Sequence, residues 1–185
     1  MKVSLLSEFG YDEAMLGVSL SYNSSITRAK EIAPKLAFGV PGESKFLESI
    51  YLWIDTTAPR YFWQEADTYR ISTKQSESTM HTLMKEPLTM ENFEEGTEVD
   101  LDKLNSLIQG YKDFPDRKKY YFEKIKRSLP EGFLQRRIWT VCYKTFQNIY
   151  FQRKSHRLKD WHYFLDTLLG SIAHPEFIIP QKEEK

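Results

Sequence analysis

The segment from Asp67 to His81, DTYRISTKQSESTMH, places an arginine, a histidine and a run of hydroxyl and amide side chains in one polar block. It follows an aromatic, partly apolar stretch, TAPRYFWQEA. Clusters of Ser, Thr and Gln often form loops or helix caps. The same groups can also bind a ligand through hydrogen bonds, and the block alone does not decide between these interpretations.

A second concentration of polar groups is QRKSHRLKDWH, from Gln152 to His162, at the end of a predicted long helix. Arg153 and Arg157 stand at positions i and i+4, so on a helix they would converge on one phosphate. The alternative is structural, since positive charge is favourable at a helix C-terminus. Both interpretations stay open at this point.

Known catalytic signatures are scarce in this chain. There is no phosphate loop, no dinucleotide fingerprint and no nucleophile elbow. We predict no metal site, because the histidines and the lone cysteine lack zinc-ligand spacing. These residues are His81, Cys142, His156, His162 and His174. Cys142 falls in an apolar helical pattern, which predicts an inert, packed thiol rather than a nucleophile.

Composition limits the class of protein. The chain has 185 residues, of which 41% are hydrophobic, and this predicts one domain covering 1–185. Basic and acidic residues balance at 26 each, which argues against binding to long nucleic acid. For the same reason the run DRKKYYFEKIKRSLP predicts a solvated helix face more than a nucleic-acid surface. The single cysteine, with no signal peptide and no membrane-length apolar run, predicts a cytoplasmic protein without membrane contact.

The hydrophobic pattern predicts the elements that must position these groups. Met1–Leu6 is a candidate edge strand, and Phe46–Ile54 fits either period. Helices are predicted at Ser24–Leu36 with a cap at Ser24 or Ser25, at Asp100–Tyr111 with a cap at Asp100, and at Arg60–Ala66, Tyr120–Leu129, Leu134–Ile149 and Trp161–Ile172. Two segments are predicted to be loose: the acidic stretch at about 86–99 and the charged tail at about 180–185.

Two separated segments resemble the flavin-dependent thymidylate synthases, also called thymidylate synthase complementing proteins. LPEGFLQRRIWTVCYKTFQNIYFQRKSHRL is similar to the family pattern of Leu-Pro, then Trp-Thr-x-Asn-x-Arg-Ser-Leu, then Leu-Arg and a Ser-His pair. The residues that match without gaps are Leu129, Pro130, Trp139, Thr140, Val141, Asn148 and Arg153. The stretch ESIYLWIDTTAPRYFWQEADTYRISTKQSESTMH has the length of the family segment that ends in its signature.

That signature, Arg-His-Arg-x-x-Ser-x-Asn-Glu-x-Ser-x-Arg-Tyr, can be laid on the polar block without a gap. Thr68, Tyr69 and Arg70 then take the Arg-His-Arg places, and Thr73 takes the first Ser. The remaining places fall on Gln75 for Asn, Ser76 for Glu, Ser78 for the second Ser, Met80 for the last Arg and His81 for Tyr. Only Arg70 and Ser78 keep the family's residue.

The resemblance implies an α+β fold with helices packed on a mostly antiparallel sheet. It also implies FAD as cofactor, methylenetetrahydrofolate and NADPH as co-substrates, and a homotetramer acting on deoxyuridylate or another pyrimidine nucleotide. Cofactor contacts would come from Tyr69, Arg70, Thr73 and His156, with Tyr69 stacking in place of the family's histidine. Nucleotide contacts would come from Ser76, Ser78, Lys144 and Arg153, with Lys144 at the place of a phosphate-gripping arginine.

The departures from the signature imply an alternative. Ser76 and Met80 replace an acid and a base, so two charged ligand contacts of the family are absent. Lys144 retains a charge but lacks the planar fork of arginine. The alternative is therefore a catalytically decayed binding module of the same fold, which holds a nucleotide or a flavin without turnover.

Overall fold

The computed structural model describes residues 1–180 and has an α+β fold. Four strands form one antiparallel sheet in the order β1-β2-β4-β3. The strands are β1 (Lys2–Phe9), β2 (Tyr51–Pro59), β3 (Ser72–Ser76) and β4 (Leu134–Cys142). This confirms the predicted fold class. The tail prediction falls, apart from Pro180, outside the described residues.

Nine α-helices of the described residues accompany the sheet. They are α1 (Tyr11–Ser21), α2 (Ile26–Leu36), α3 (Pro41–Ser44), α4 (Arg60–Ala66), α5 (Thr79–Thr82), α6 (Leu101–Asp113), α7 (Lys118–Ser128), α8 (Tyr143–Arg153) and α9 (Lys159–Leu169). Two predicted caps are confirmed, because Ser25 accepts a hydrogen bond from the Arg28 amide and Asp100 from the Lys103 amide. The segment that fitted both periods is a short 3₁₀ turn, Lys45–Glu48, followed by β2.

The prediction of a long helix from Leu134 is wrong over its first half, where the chain forms β4. Ile138, Trp139, Thr140 and Val141 are β-branched or aromatic, and such side chains favour a strand. Trp139 and Val141 are buried while Thr140 between them is partly exposed, which is a period of two. The helix α8 begins only at Tyr143. Cys142 is consequently the last residue of the strand, although it is buried as predicted.

Contacts group the described residues into two compact units. The single domain stays a prediction. The first unit contains Met1, Thr57–Thr68 and Gln75–Arg137. The second unit contains Lys2–Thr56, Tyr69–Lys74 and the chain from Ile138 onward.

The first unit has its own apolar core beneath α6 and α7. The acidic segment 86–99 is irregular, as predicted, but it is anchored rather than loose. Leu88 and Phe93 are buried in this core. The Asn105 side chain accepts from the Leu88 amide at 2.7 Å and donates to the Leu88 carbonyl at 3.0 Å. The acidic composition of the segment gave no indication that Leu88 and Phe93 are buried.

The second unit is built around large aromatic side chains. Trp139, Tyr143, Phe146, Trp161 and Phe164 are all fully buried or nearly so. The rings of Trp139 and Phe164 stack at 5.3 Å between centroids, and those of Trp161 and Phe164 meet edge to face at 5.8 Å. These rings fix the facing sides of β4, α8 and α9.

Candidate functional site

Five residues of the second unit form a connected group, which we call the ring cluster. They are Tyr69, Gln152, Arg153, His156 and Trp161. The Arg153 guanidinium carbon lies 4.8 Å from the Trp161 ring centroid and 5.6 Å from that of Tyr69. Arg153 Nε donates to the Tyr69 hydroxyl at 2.8 Å, and this hydroxyl donates to Gln152 Oε1 at 3.1 Å. The cluster therefore fixes a cation against two aromatic faces.

The ends of two helices assemble the ring cluster. Helix α8 ends at Arg153, and α9 starts at Lys159, so Trp161 lies in its first turn. Between them, His156 Nδ1 accepts from the Leu158 amide at 3.2 Å. The imidazole meets the Trp161 ring edge to face at 6.4 Å between centroids. The turn after α8 thus places His156 against the Trp161 indole, which Arg153 also contacts.

The pairing of Arg153 with Arg157 on one helix is wrong. Helix α8 ends at Arg153, so Arg157 lies beyond it and is exposed. The chain after Arg153 turns, with the His156 amide donating to the Arg153 carbonyl at 2.9 Å. The i,i+4 argument requires continued helical geometry, and the turn removes it.

Tyr69, Arg70 and Thr73 have different surroundings. Tyr69 is only 6% exposed, and its ring meets Trp161 edge to face at 6.1 Å. In this conformation Tyr69 holds Arg153 and presents no ring face for stacking. Arg70 is exposed, and within the described residues its side chain has no hydrogen bond or ion pair. Thr73 is exposed on the edge strand β3.

Lys144 lies in the first turn of α8 and is bonded within the second unit. Its Nζ donates to Ser44 Oγ at 2.9 Å and to Gln147 Oε1 at 3.3 Å. Gln147 is buried, and its Nε2 donates to the carbonyls of Ala37 at 3.0 Å and Phe177 at 2.7 Å. The amine that the resemblance assigns to a phosphate thus has two of its three donors in use.

Ser76 and Ser78 belong to the first unit. Both are exposed, Ser76 as the last residue of β3 and Ser78 as the residue before α5. The Ser78 carbonyl accepts from the amides of His81 and Thr82. Its hydroxyl makes no capping hydrogen bond to α5.

A cavity of about 760 Å³ in the second unit was not predicted from the sequence. It is lined by residues of α1, α2 and α3 and of the 3₁₀ turn, and helix α1 was itself missed. The charged groups on its wall are Glu13, Glu43, Lys45 and Glu48. Its volume suits a small-molecule ligand. Three carboxylates against one ammonium, however, disfavour the diphosphate of a dinucleotide.

No group of His, Cys, Asp or Glu within 1–180 is arranged to hold a metal ion. None of the helices in this range combines the length and apolar character needed to cross a membrane.

The pKa of the Tyr143 hydroxyl, in the second unit, is raised well above its ordinary value. Burial raises the pKa of its hydroxyl, and the hydrogen bond to Glu8 raises it further. That hydroxyl donates to Glu8 Oε1 at 2.7 Å, while Glu8 Oε2 accepts from the Ala173 amide at 2.8 Å. Tyr143 therefore stays protonated and acts as a hydrogen-bond donor.

Comparison with known proteins shows the fold. Thymidylate synthase X from Helicobacter pylori, solved with FAD and dUMP, matches with a TM-score of 0.74 and 17% identity over 97% of this chain and 98% of that one. A second structure of flavin-dependent thymidylate synthase from Helicobacter pylori, complexed with FAD and dUMP, matches with a TM-score of 0.72, 18% identity and the same coverage. No protein-family model matches the chain, and neither does any curated protein sequence. The fold is thus that of the flavin-dependent thymidylate synthases.

The sequence pointed to Arg153, Tyr69 and His156, but not to Trp161, whose ring all three contact. Trp161 was predicted only as the start of a helix, and Gln152 only as part of a polar run. A signal for both was present, because QRKSHRLKDWH places a tryptophan shortly after two arginines. Finding the cluster required knowing that α8 ends at Arg153.

Proposed function

We propose that this chain is a divergent flavin-dependent thymidylate synthase-like protein that binds FAD and acts on deoxyuridylate or another pyrimidine nucleotide. The observation that carries this proposal is the fold, which matches a thymidylate synthase solved with FAD and dUMP over 97% of the chain. The sequence resemblance lies in two segments of the same chain and supports the same conclusion.

The donors of the second unit suit the anionic part of FAD. Arg70 is exposed, so its guanidinium group is offered for bidentate contact with phosphate oxygens. Thr73 and His156 would add hydrogen bonds, and Tyr69 would orient Arg153 from within. A bound flavin would supply the redox chemistry, while the chain binds and orients it.

The nucleotide contacts we propose are Ser76, Ser78, Lys144 and Arg153. The exposed hydroxyls of Ser76 and Ser78 can donate to a base or a sugar. Lys144 keeps one donor beyond Ser44 and Gln147, so its charge can still attract a phosphate. Arg153 would contribute the planar fork that lysine lacks.

A second candidate function is binding of the same ligands without turnover. It is favoured by the side chains at the signature places of an acid and a base, Ser76 and Met80. Both are neutral and exposed, and Met80 retains 67% of its surface. Charge-assisted hydrogen bonds contribute about 1.5–3 kcal/mol each, so their absence weakens any transition-state contact made there.

A titration of FAD fluorescence tests flavin binding. We expect saturable quenching by the wild-type protein and at least about a tenfold weaker affinity for Arg70→Ala, the loss of one charge-assisted contact. Arg28→Ala is the matched control, because Arg28 is an exposed arginine of α2 paired with Glu31. Equal affinities for the wild type and the Arg70 variant would exclude the proposed cofactor contact.

Turnover separates the two candidate functions. We expect the enzyme to form thymidylate from deoxyuridylate when FAD, methylenetetrahydrofolate and NADPH are present together. Binding of FAD and nucleotide with no product would establish the second candidate instead. The homotetramer is a further proposal, to be tested by light scattering, and the cytoplasmic location likewise remains a prediction.

A further inference from the structure

Three aromatic rings lie together where the chain passes from α6 to α7 in the first unit. The Phe114 ring stacks on that of Tyr121, with 6.0 Å between centroids and 20° between the ring planes. The Tyr120 ring meets Tyr121 edge to face at 5.3 Å. Phe114 is 53% exposed and Tyr120 is 54% exposed, so both rings are open to solvent. We call Phe114, Tyr120 and Tyr121 the aromatic patch.

Basic side chains surround the aromatic patch. The segment 111–128 contains seven Lys and Arg residues against three Asp and Glu residues, which leaves four positive charges in surplus. The Lys124 amine lies 5.6 Å from the Tyr120 ring centroid. Three further bases are exposed and, within the described residues, have no carboxylate partner: Arg117, Lys118 and Lys119. Because these charges are not paired, the surface attracts a polyanion.

The exposed rings are the feature that a solvated helix face does not explain. Lysine and arginine suffice to keep such a face in water, whereas Phe114 and Tyr120 leave large apolar surfaces exposed. Aromatic rings interleaved with bases are typical of proteins that bind single-stranded nucleic acid, because bases stack on the rings while phosphates contact the cations. An acidic peptide would match the lysines but not the rings. A duplex would keep the faces of its bases hidden.

We propose that the aromatic patch and its neighbouring bases bind a short stretch of single-stranded RNA or DNA. Bases would stack on Phe114 and Tyr120, and the phosphates would contact Lys124 and the three exposed bases near the start of α7. Stacking requires no particular sequence, since every base has a π-face. The balanced charge of the whole chain does not oppose this, because charges act over a Debye length of only about 8 Å at physiological ionic strength.

This inference does not depend on the proposed function. The aromatic patch lies in the first unit, while the proposed FAD contacts lie in the second. Arg70→Ala, which tests the flavin contact, should leave oligonucleotide affinity unchanged. Excess deoxyuridine monophosphate, which would fill the proposed nucleotide site, should not displace the oligonucleotide. Failure of one proposal is therefore distinguishable from failure of the other.

Fluorescence anisotropy with labelled oligothymidylate and oligouridylate of about 12 nucleotides tests the surface. At about 50 mM salt we expect saturable binding that weakens as salt rises, with a log–log slope of about −0.7 for each phosphate contact. Similar affinities for the two oligomers support a general single-strand surface, and a preference assigns the source to DNA or RNA. An abasic oligomer of equal length should bind about fivefold to a hundredfold more weakly, because it cannot stack.

Variants of the aromatic patch separate stacking from charge. Tyr120→Ala and Phe114→Ala should each weaken binding by about fivefold or more without changing the salt slope. Tyr163→Ala is the matched control, because Tyr163 is 48% exposed on α9 in the second unit. The replaced rings are exposed, so we expect both variants to fold, and circular dichroism checks this.

A charge variant tests the phosphate contacts. Lys124→Gln should reduce the magnitude of the salt slope by about 0.7, the loss of one contact, and should do so for the abasic oligomer as well. Arg28→Ala is the control, because Arg28 is an exposed arginine that pairs with Glu31 in the second unit. It should leave the slope unchanged.

Four results would overturn the inference. Equal binding of the normal and abasic oligomers would show that the rings do not stack with bases. Displacement by a polyglutamate peptide as effectively as by unlabelled oligonucleotide would assign the surface to an acidic partner. Displacement by deoxyuridine monophosphate would move the oligonucleotide to the proposed nucleotide site. Absence of saturable binding at low salt, in the folded wild-type protein, would exclude the surface altogether.

Discussion

Arg153 and Lys126 are both partly buried cations, but their surroundings differ. Arg153 rests 4.8 Å from the Trp161 ring centroid and donates to Tyr69. Among residues 1–180, Lys126 donates to one neutral partner, Thr79 Oγ1, and the charge of Arg60 lowers the pKa of its amine. The aromatic faces favour the first cation, whereas burial and like charge disfavour the second.

The difference shows how partners, more than burial, decide what a buried cation can do. Arg153 is oriented before any ligand arrives, which reduces the ordering cost of binding. Lys126 instead has a lowered pKa, because burial and the charge of Arg60 disfavour its protonated form. Lys144 is a third case, because its bonds to Ser44 and Gln147 make it part of the second unit's internal framework.

The largest loss of stability is expected from removing the Trp161 ring, against which Arg153 packs. Trp161 is fully buried, so Trp161→Ala should lower the free energy of unfolding by about 3–5 kcal/mol. Tyr163→Ala is the matched control, because Tyr163 lies on the same helix and is 48% exposed. It should change stability by no more than about 0.5 kcal/mol. Chemical denaturation measures both, and equal losses would contradict the role of Trp161.

The buried hydroxyl of Tyr143 makes stability depend on pH in the alkaline range. Its pKa is raised in the folded state, so above about pH 10 the unfolded chain releases a proton that the folded chain retains. The free energy of unfolding should then fall by up to about 1.4 kcal/mol per pH unit, relative to Tyr143→Phe. Denaturation of both proteins from pH 9 to about 11.5 measures the slope. Parallel pH profiles would show that Tyr143 ionises equally in both states.

Methionine substitutions at the two lysines sharpen the comparison. Lys144→Met leaves Ser44 and Gln147 without their donor and should cost about 1–3 kcal/mol. Lys126→Met removes an ammonium group that burial and Arg60 disfavour, so stability should stay within about 0.5 kcal/mol or rise. Urea denaturation compares the pair. A larger loss of stability for Lys126→Met than for Lys144→Met would contradict the view that Lys144 is the better hydrogen-bonded of the two lysines.

A smaller loss than at Lys144 is expected when the hydroxyl that links the ring cluster is removed. Tyr69→Phe keeps the ring and removes the oxygen between Arg153 and Gln152, which should cost about 0.5–1.5 kcal/mol. A double-mutant cycle with Gln152→Ala isolates the bond between these two side chains. Strictly additive losses would mean that the hydrogen bond between Tyr69 and Gln152 contributes nothing to the free energy of unfolding.

The sequence predicted most of the helices and the class of fold, but not the arrangement of the site. Helices with clear caps and one apolar face, such as α2 and α6, follow from local pattern. The segment from Leu134 was wrongly predicted as one helix. Its apolar residues lie partly in a strand, β4, and partly in the following helix, α8, and together they fit a helical period. The false pairing of Arg153 with Arg157 has a separate cause, because it assumed helical geometry beyond Arg153, where α8 ends.

Other features depend on contacts between distant parts of the chain and leave no local signal. Tyr69 and Arg153 meet only when β3 and α8 are in place, and Lys126 meets Thr79 only across α7 and α5. The anchoring of segment 86–99 by Leu88 and Phe93 is of the same kind. In each case composition describes the segment, while tertiary packing decides its role.

The most direct test of the proposed function is a visible absorption spectrum of the purified protein after incubation with FAD and desalting. We predict a retained flavin band in the wild type and in Arg28→Ala, and a diminished band in Arg70→Ala, whose exposed guanidinium group is the proposed cofactor contact. Absence of a retained band in the well-folded wild-type protein would contradict the proposal that this chain uses its fold to bind a flavin.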